Sequence, residues 1–63
     1  MNKVVAVFIF RNSDQADRTL NFLWSKLSGG FERSAGSEVW ISSSCDDTDL
    51  ASQICISCGG TLK

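Results

Sequence analysis

The sequence predicts one small α+β domain in which helices cover a single face of an antiparallel sheet. Three patterns support this prediction. Residues 4–10 are apolar on both alternating faces, which is typical of a central strand. A helical stripe of Ala and Leu follows, and then two short β-like segments flank a turn that contains glycine. The chain has 63 residues, so we expect a single domain spanning 1–63.

The first helix is predicted to begin at Asp14. Asn12 or Ser13 can cap it, and Gln15 lies three residues after Asn12, as in a capping box. The glycine pair 29–30 is expected to end the helix in a left-handed conformation. The predicted core stripe consists of Ala16, Leu20, Leu23 and Leu27.

Residues 31–34 and 38–42 are predicted to pair as a hairpin around the turn 35–37. Side chains alternate along a strand, so Val39 and Ile41 share one face of the second arm. Trp40 belongs to the other face of the same arm.

A second helix is predicted from about Asp49, with the three residues 46–48 as candidate caps. Its inner face would carry Leu50, Ala51 and Ile54. Residues 54–58 also alternate like a strand, which leaves two alternatives for the tail. The tail is either a short helix followed by an edge strand, or one helix stopped by the glycine pair 59–60.

The order β, α, β, β, α, with an optional last strand, is that of a miniature ferredoxin-like sandwich, β-α-β-β-α(-β). In this layout the first and third strands are central neighbours, and both helices pack on one face of the small antiparallel sheet. The second face then has no helices. We expect Trp40 to lie there.

The composition excludes several classes of function. Six Lys or Arg residues against seven Asp or Glu residues provide no basic footprint, so direct nucleic-acid binding is disfavoured. The chain contains no histidine, which removes the commonest general base and metal ligand. We therefore expect no catalytic site and no cofactor. The apolar run 4–10 is too short to span a bilayer, so we expect a cytoplasmic protein without membrane contact.

Three cysteines form the most specific motif in the chain. Cys55 and Cys58 make a CxxC pair before two glycines, but a closed zinc site needs four ligands and only Cys45 remains. Asp46 and Asp47 beside Cys45 disfavour a reactive thiolate there. We expect reduced, metal-free packing residues. The alternative function is a small cysteine-based zinc-binding or thiol-redox protein.

Exposed aromatic and acidic side chains are the candidate partner-binding residues. Phe22 lies about 140° from the leucine stripe and Trp24 about 60° from its edge, at 100° per residue. Trp40 on the helix-free face could bury against another protein or stack bases, and the acidic balance favours protein. The complete candidate set is Phe22, Trp24, Trp40, Asp46, Asp47 and Asp49.

The leading expectation is a small non-enzymatic protein-binding module that occupies a surface of a larger partner. Chains of this size include phage and mobile-element inhibitors such as anti-CRISPR proteins. Burial of apolar surface supplies roughly 90 kcal/mol, whereas ordering the chain costs about 95 kcal/mol. Because a lone monomer is near break-even, we also expect a homodimer.

Overall fold

The computed structural model describes residues 3–34 and 36–63. Along the chain these residues form β1 (Val4–Ile9), α1 (Ser13–Lys26), β2 (Phe31–Arg33), β3 (Glu38–Ser42), α2 (Thr48–Ser57) and β4 (Thr61–Leu62). The strands make one antiparallel sheet in the order β2-β3-β1-β4. The predicted α+β class is confirmed, and β1 and β3 are central neighbours as expected.

The core lies between the sheet and the two helices. The helices contact each other and both contact β3, so they share one layer. On that side of the sheet Phe8 pairs with Val39, and both side chains are buried with Ile41. The alternation predicted for β3 is therefore confirmed, since Trp40 lies between Val39 and Ile41 on the opposite face.

Helix α1 begins at Ser13, one residue before the predicted start. Asn12 is the N-cap, and its Oδ1 accepts a hydrogen bond from Gln15 N at 2.8 Å. The Gln15 side chain does not complete a capping box. Its Nε2 instead donates to the backbone oxygen of Cys58 at 2.5 Å, which ties the start of α1 to the end of α2.

The predicted stripe of α1 faces the core. Ala16 and Leu23 are fully buried, Leu27 is buried just past the helix end, and Leu20 is half-buried. Thr19, a polar residue outside the predicted stripe, is also fully buried. The hydroxyl donates to the backbone oxygen of Gln15 at 2.8 Å, so no buried donor is left without a partner there.

The glycine pair 29–30 does not end α1 as predicted. The helix ends at Lys26, and its C-cap Leu27 has extended backbone angles. Gly30 has a φ of 88° at the entry to β2, and a Cβ on it would lie 2.2 Å from the Cα of Cys45. The glycine is required because the 44–45 backbone passes directly over it.

The hairpin has a shorter first arm than predicted. Strand β2 ends at Arg33, and Ser34 lies outside it, although its N–H still donates to Glu38 O at 3.2 Å. Ala35, the first residue of the predicted turn 35–37, lies outside the described residues.

Helix α2 begins at Thr48 with Asp47 as its N-cap. Its inner face differs from the prediction at one position: Leu50 is 37 % exposed, and the third buried residue beside Ala51 and Ile54 is Cys55. The tail combines the two alternatives. The helix continues to Ser57, and the two-residue edge strand β4 follows the glycine pair 59–60.

Among the residues that the structure describes, no helix has the length and apolarity needed to cross a membrane.

We expect Leu23→Ala to lower the free energy of unfolding by ~2–5 kcal/mol, because Leu23 is fully buried between α1 and the sheet. Phe22→Ala is the matched control on the same helix, since its side chain is 47 % exposed and its loss should change stability little. Urea denaturation measures both. Equal destabilisation by the two substitutions would contradict the orientation of α1.

Candidate functional site

The sheet presents one face that none of the described helices covers. We call it the open face. It is formed by Val4, Val7, Ile9, Glu32, Glu38 and Trp40. Ile9 is 39 % exposed and Val4 is 42 % exposed, while Trp40 is half-buried. A sheet face that carries exposed apolar side chains along with a tryptophan is a candidate interaction surface.

A β-bulge brings Val4 to this face. Val4 pairs with Ser42 and Ala6 pairs with Ile41, so two steps along β1 match one step along β3. The extra residue changes which side of the sheet the preceding side chain faces. As a result Val4 and Trp40 line the same pocket, although simple alternation from Phe8 would have placed Val4 in the helix layer.

Trp40 is held by a chain of polar contacts across the open face. Its Nε1 donates to Glu38 Oε1 at 3.1 Å, and Lys63 Nζ donates to Glu38 Oε2 at 3.2 Å. The hydrogen bond from Trp40, followed by that from Lys63, lowers the pKa of Glu38. Glu38 is therefore a charged anchor that fixes the indole nitrogen and leaves the ring to line the pocket.

Glu32 is the second carboxylate beside Trp40. The two residues are direct cross-strand partners between β2 and β3, so their side chains share the open face. Glu32 is exposed, and within residues 3–34 and 36–63 no ion pair involves it. A shallow pocket of about 290 Å³ lies beside the pair and is also lined by Val4, Ser42 and Ser44.

The structure places Phe22 and Trp24 away from this face, on α1. Phe22 is exposed as predicted, and Lys26 Nζ lies 5.8 Å from its ring centroid. Trp24 is 54 % exposed, but its ring packs edge-on against Phe31 with the centroids 4.8 Å apart. Trp24 therefore covers the rim of the core in addition to being accessible.

The three aspartates of the candidate set lie at the start of α2. Asp47 Oδ1 accepts from Leu50 N at 3.0 Å as the helix cap. Asp46 Oδ1 accepts from Ser28 N at 3.3 Å, and Asp49 lies in the first turn, where the helix dipole favours a negative charge. The first two carboxylates thus have structural partners. The structure does not bring the aspartates together with Trp40 in one site.

The three thiols are free, and two of them are buried. Burial raises the pKa of Cys55 to about 12, with smaller contributions from Cys58 and Cys45. Reactive thiols in redox proteins show the opposite shift. In the part of the chain that the structure describes, no three Cys, Asp or Glu side chains are grouped to hold one metal ion. The raised pKa of Cys55 therefore does not favour the thiol-redox alternative at that residue.

Comparison of the chain with protein-family models, with curated proteins and with solved structures finds no match.

Reasoning from the sequence identified Trp40 but missed Glu32 and the apolar neighbours Val4 and Ile9. Pairing Glu32 with Trp40 requires the register of the hairpin, and its first arm is only three residues long. Aligning the two arms symmetrically about the turn would have revealed the pair. The position of Val4 depends on the bulge, for which the sequence has no local signal.

We expect the stability of the protein to fall as the pH rises above about 9. The Cys55 thiol in the unfolded chain ionises near its ordinary pKa of 9.0, whereas the folded protein retains the proton up to about 12. The stabilising contribution is therefore complete below pH 9 and is lost as the pH rises through the folded pKa. Urea unfolding between about pH 8.5 and 10.5 measures the decline. Cys55→Ala should flatten it.

Cys58→Ala is the matched control for this measurement, because Cys58 is only half-buried. It should change the slope of stability against pH less than Cys55→Ala does. A slope that Cys55→Ala leaves unchanged would contradict the assignment, whatever the absolute stability of the variant.

Proposed function

We propose that the chain is a small non-enzymatic protein-binding module and that the open face is its binding surface. The observation that carries the proposal is the exposure of Val4 and Ile9 around the half-buried Trp40, on a sheet face that no described helix covers. A partner that covered these side chains would remove apolar surface from water without any rearrangement of the core.

The charges on the open face favour a protein partner over a nucleic acid. Glu32 lies beside Trp40 on the neighbouring strand, and Glu38 lies two residues before Trp40 and is paired with Lys63. A phosphate backbone would therefore meet the negative charge of Glu32. Base-stacking aromatics are normally set among cationic side chains. A protein partner with a basic surface would instead be attracted, because its cations complement these carboxylates.

In this proposal the module acts by occupying a surface of a larger protein, as small phage and mobile-element inhibitors such as anti-CRISPR proteins do. Two features support it. The domain is only 29 × 20 × 15 Å across, and its candidate surface is an uncovered sheet face with one aromatic anchor beside a shallow pocket. A cytoplasmic location belongs to the same proposal.

A second copy of the same chain is a second proposed partner, and it would bind at a different surface. Strand β4 pairs only with Phe8 and Ile9, and its neighbour Lys63 bonds to Val7 O, so the described chain leaves the β1 edge before Val7 unpaired. Val5 and Leu62 beside this edge are 51 % and 60 % exposed. We propose that a second copy adds its own β1 edge here, since an exposed apolar edge is a template for strand addition.

To test the binding surface, Ile9 is replaced by the photo-crosslinking residue benzoylphenylalanine in cells that naturally contain the protein. Ile9 lies on the open face at the end of β1, opposite Glu38, so we expect a discrete adduct with one larger protein after irradiation. The matched control carries the same residue in place of Gln53, which lines a groove in the helix layer with Phe22. That position should give no such adduct.

An adduct from position 53 and none from position 9 would move the binding surface to the groove beside Phe22 and contradict the proposal. An adduct formed only between two copies of the chain would show that the open face is a self-association surface. This outcome would contradict the proposal of a different partner protein.

Light scattering tests the proposed dimer. At high concentration we expect a mass near twice the 6.9 kDa of one chain. Val5→Lys should shift the mass toward the monomer, because a lysine on an unpaired edge opposes strand addition. Leu50→Lys, at an exposed apolar site on α2, is the matched control and should remain dimeric. A mass of 6.9 kDa for the unmodified chain would exclude the dimer.

A further inference from the structure

We propose that the pocket beside Trp40 receives an arginine side chain of the protein that binds the open face. This inference rests on the proposed function and names the chemistry that the surface recognises. The pocket is shallow and measures about 290 Å³. This volume lies at the lower end of the ~300–1,000 Å³ range of ligand pockets, and the pocket is widely open to solvent, which suits a side chain that a protein partner inserts from outside.

The aromatic wall of the pocket is fixed in place. The bond from Trp40 Nε1 to Glu38 satisfies the only polar atom of the indole, and Lys63 neutralises Glu38 in turn. Because both partners are already paired, Glu38 acts as the support of the ring. Because the indole is already fixed, the protein loses little side-chain conformational entropy when a guanidinium stacks on it.

The carboxylate of Glu32 supplies the charge that a cation needs. It lies directly opposite Trp40 in the β2–β3 ladder, it lines the same pocket, and among the described residues it has no ion-pair partner. A carboxylate without an ion-pair partner in the described part of the chain distinguishes the pocket from an ordinary apolar depression. An apolar side chain placed here would remove water from Glu32 and offer nothing in return.

The remaining wall carries further hydrogen-bond acceptors. Ser42 Oγ donates to Gly30 O at 3.1 Å and lies 2.7 Å from Ser44 Oγ, so hydroxyl oxygens line the side of the pocket near Gly30. A guanidinium has five N–H donors in one plane and can bond a carboxylate and a hydroxyl while it stacks on an indole. A lysine ammonium is compact and strongly hydrated, so it makes fewer of these contacts at the same time.

The test follows the indole N–H signal of Trp40 by NMR in a chain that carries Trp24→Phe, which leaves Trp40 as the single tryptophan. The probe is the tripeptide Gly-Arg-Gly with blocked ends. Its counterpart Gly-citrulline-Gly has nearly the same shape without the charge. We expect a saturable shift with a Kd of ~1–10 mM for the arginine peptide, and binding at least about tenfold weaker for the citrulline peptide.

Two further variants locate the interaction. Glu32→Gln should weaken binding of the arginine peptide by about tenfold, because it removes the charge and retains the size of the side chain. Asp14→Asn neutralises an exposed carboxylate in the first turn of α1 and should leave binding unchanged. Amide spectra of both variants verify that the fold is intact before the titrations are compared.

The proposal is overturned if the arginine peptide gives no saturable shift, if citrulline binds equally well, or if Glu32→Gln has no effect. These failures are distinguishable from failure of the proposed function. A partner that still crosslinks from position 9 would leave the open face as the binding surface and remove only its arginine specificity.

Discussion

The one-sided coverage of the sheet is the constraint on which the rest of the structure depends. Two helices can shield only one face of four strands, and the core must lie on that face. Phe8, Val39 and Ile41 are buried there, while the alternate positions of the same strands are left to water. The Gln15 bond to Cys58 O then locks the two helices together at one end of this layer. A chain of this length can be stable in this way and still retain apolar residues on its second face.

The sequence predicted those parts of the fold that depend on local periodicity. The stripe of α1 and the alternation of β3 were correct because burial repeats with the period of each element. The prediction failed where packing between segments that are distant in the sequence determines which residues are buried. Leu50 is partly exposed and Cys55 is buried because the orientation of α2 follows its contacts with α1 and β3. Gly30 is required by the passage of residues 44–45 over it, and no spacing in the sequence shows that contact.

The prediction of the candidate site succeeded and failed for the same reasons as the prediction of the fold. Trp40 was predicted on the helix-free face because strand alternation is local, and the structure confirms that position. Glu32 was missed because its place beside Trp40 is a property of the hairpin register. The aspartates were predicted as a binding group from their charge alone. In the structure Asp47 caps α2 by accepting from the N–H of Leu50, and Asp46 accepts from the N–H of Ser28, which lies 18 residues earlier in the chain. Structural hydrogen bonds therefore account for two of the three aspartates.

The polar residues of the open face limit which surfaces can pair with it. An entirely apolar second face would pair without specificity, because hydrophobic contact has no direction. The Glu38–Lys63 ion pair crosses β1 and covers part of the face. The charge of Glu32 disfavours acidic partners by repulsion, and it disfavours apolar partners because they would remove water from the carboxylate. The same carboxylate becomes attractive only when a cation approaches it. In the proposed function, selectivity on this face arises from the contrast between one supported indole and one carboxylate without a partner in the described chain. In the same proposal the surrounding valine and isoleucine side chains add affinity that is independent of partner identity.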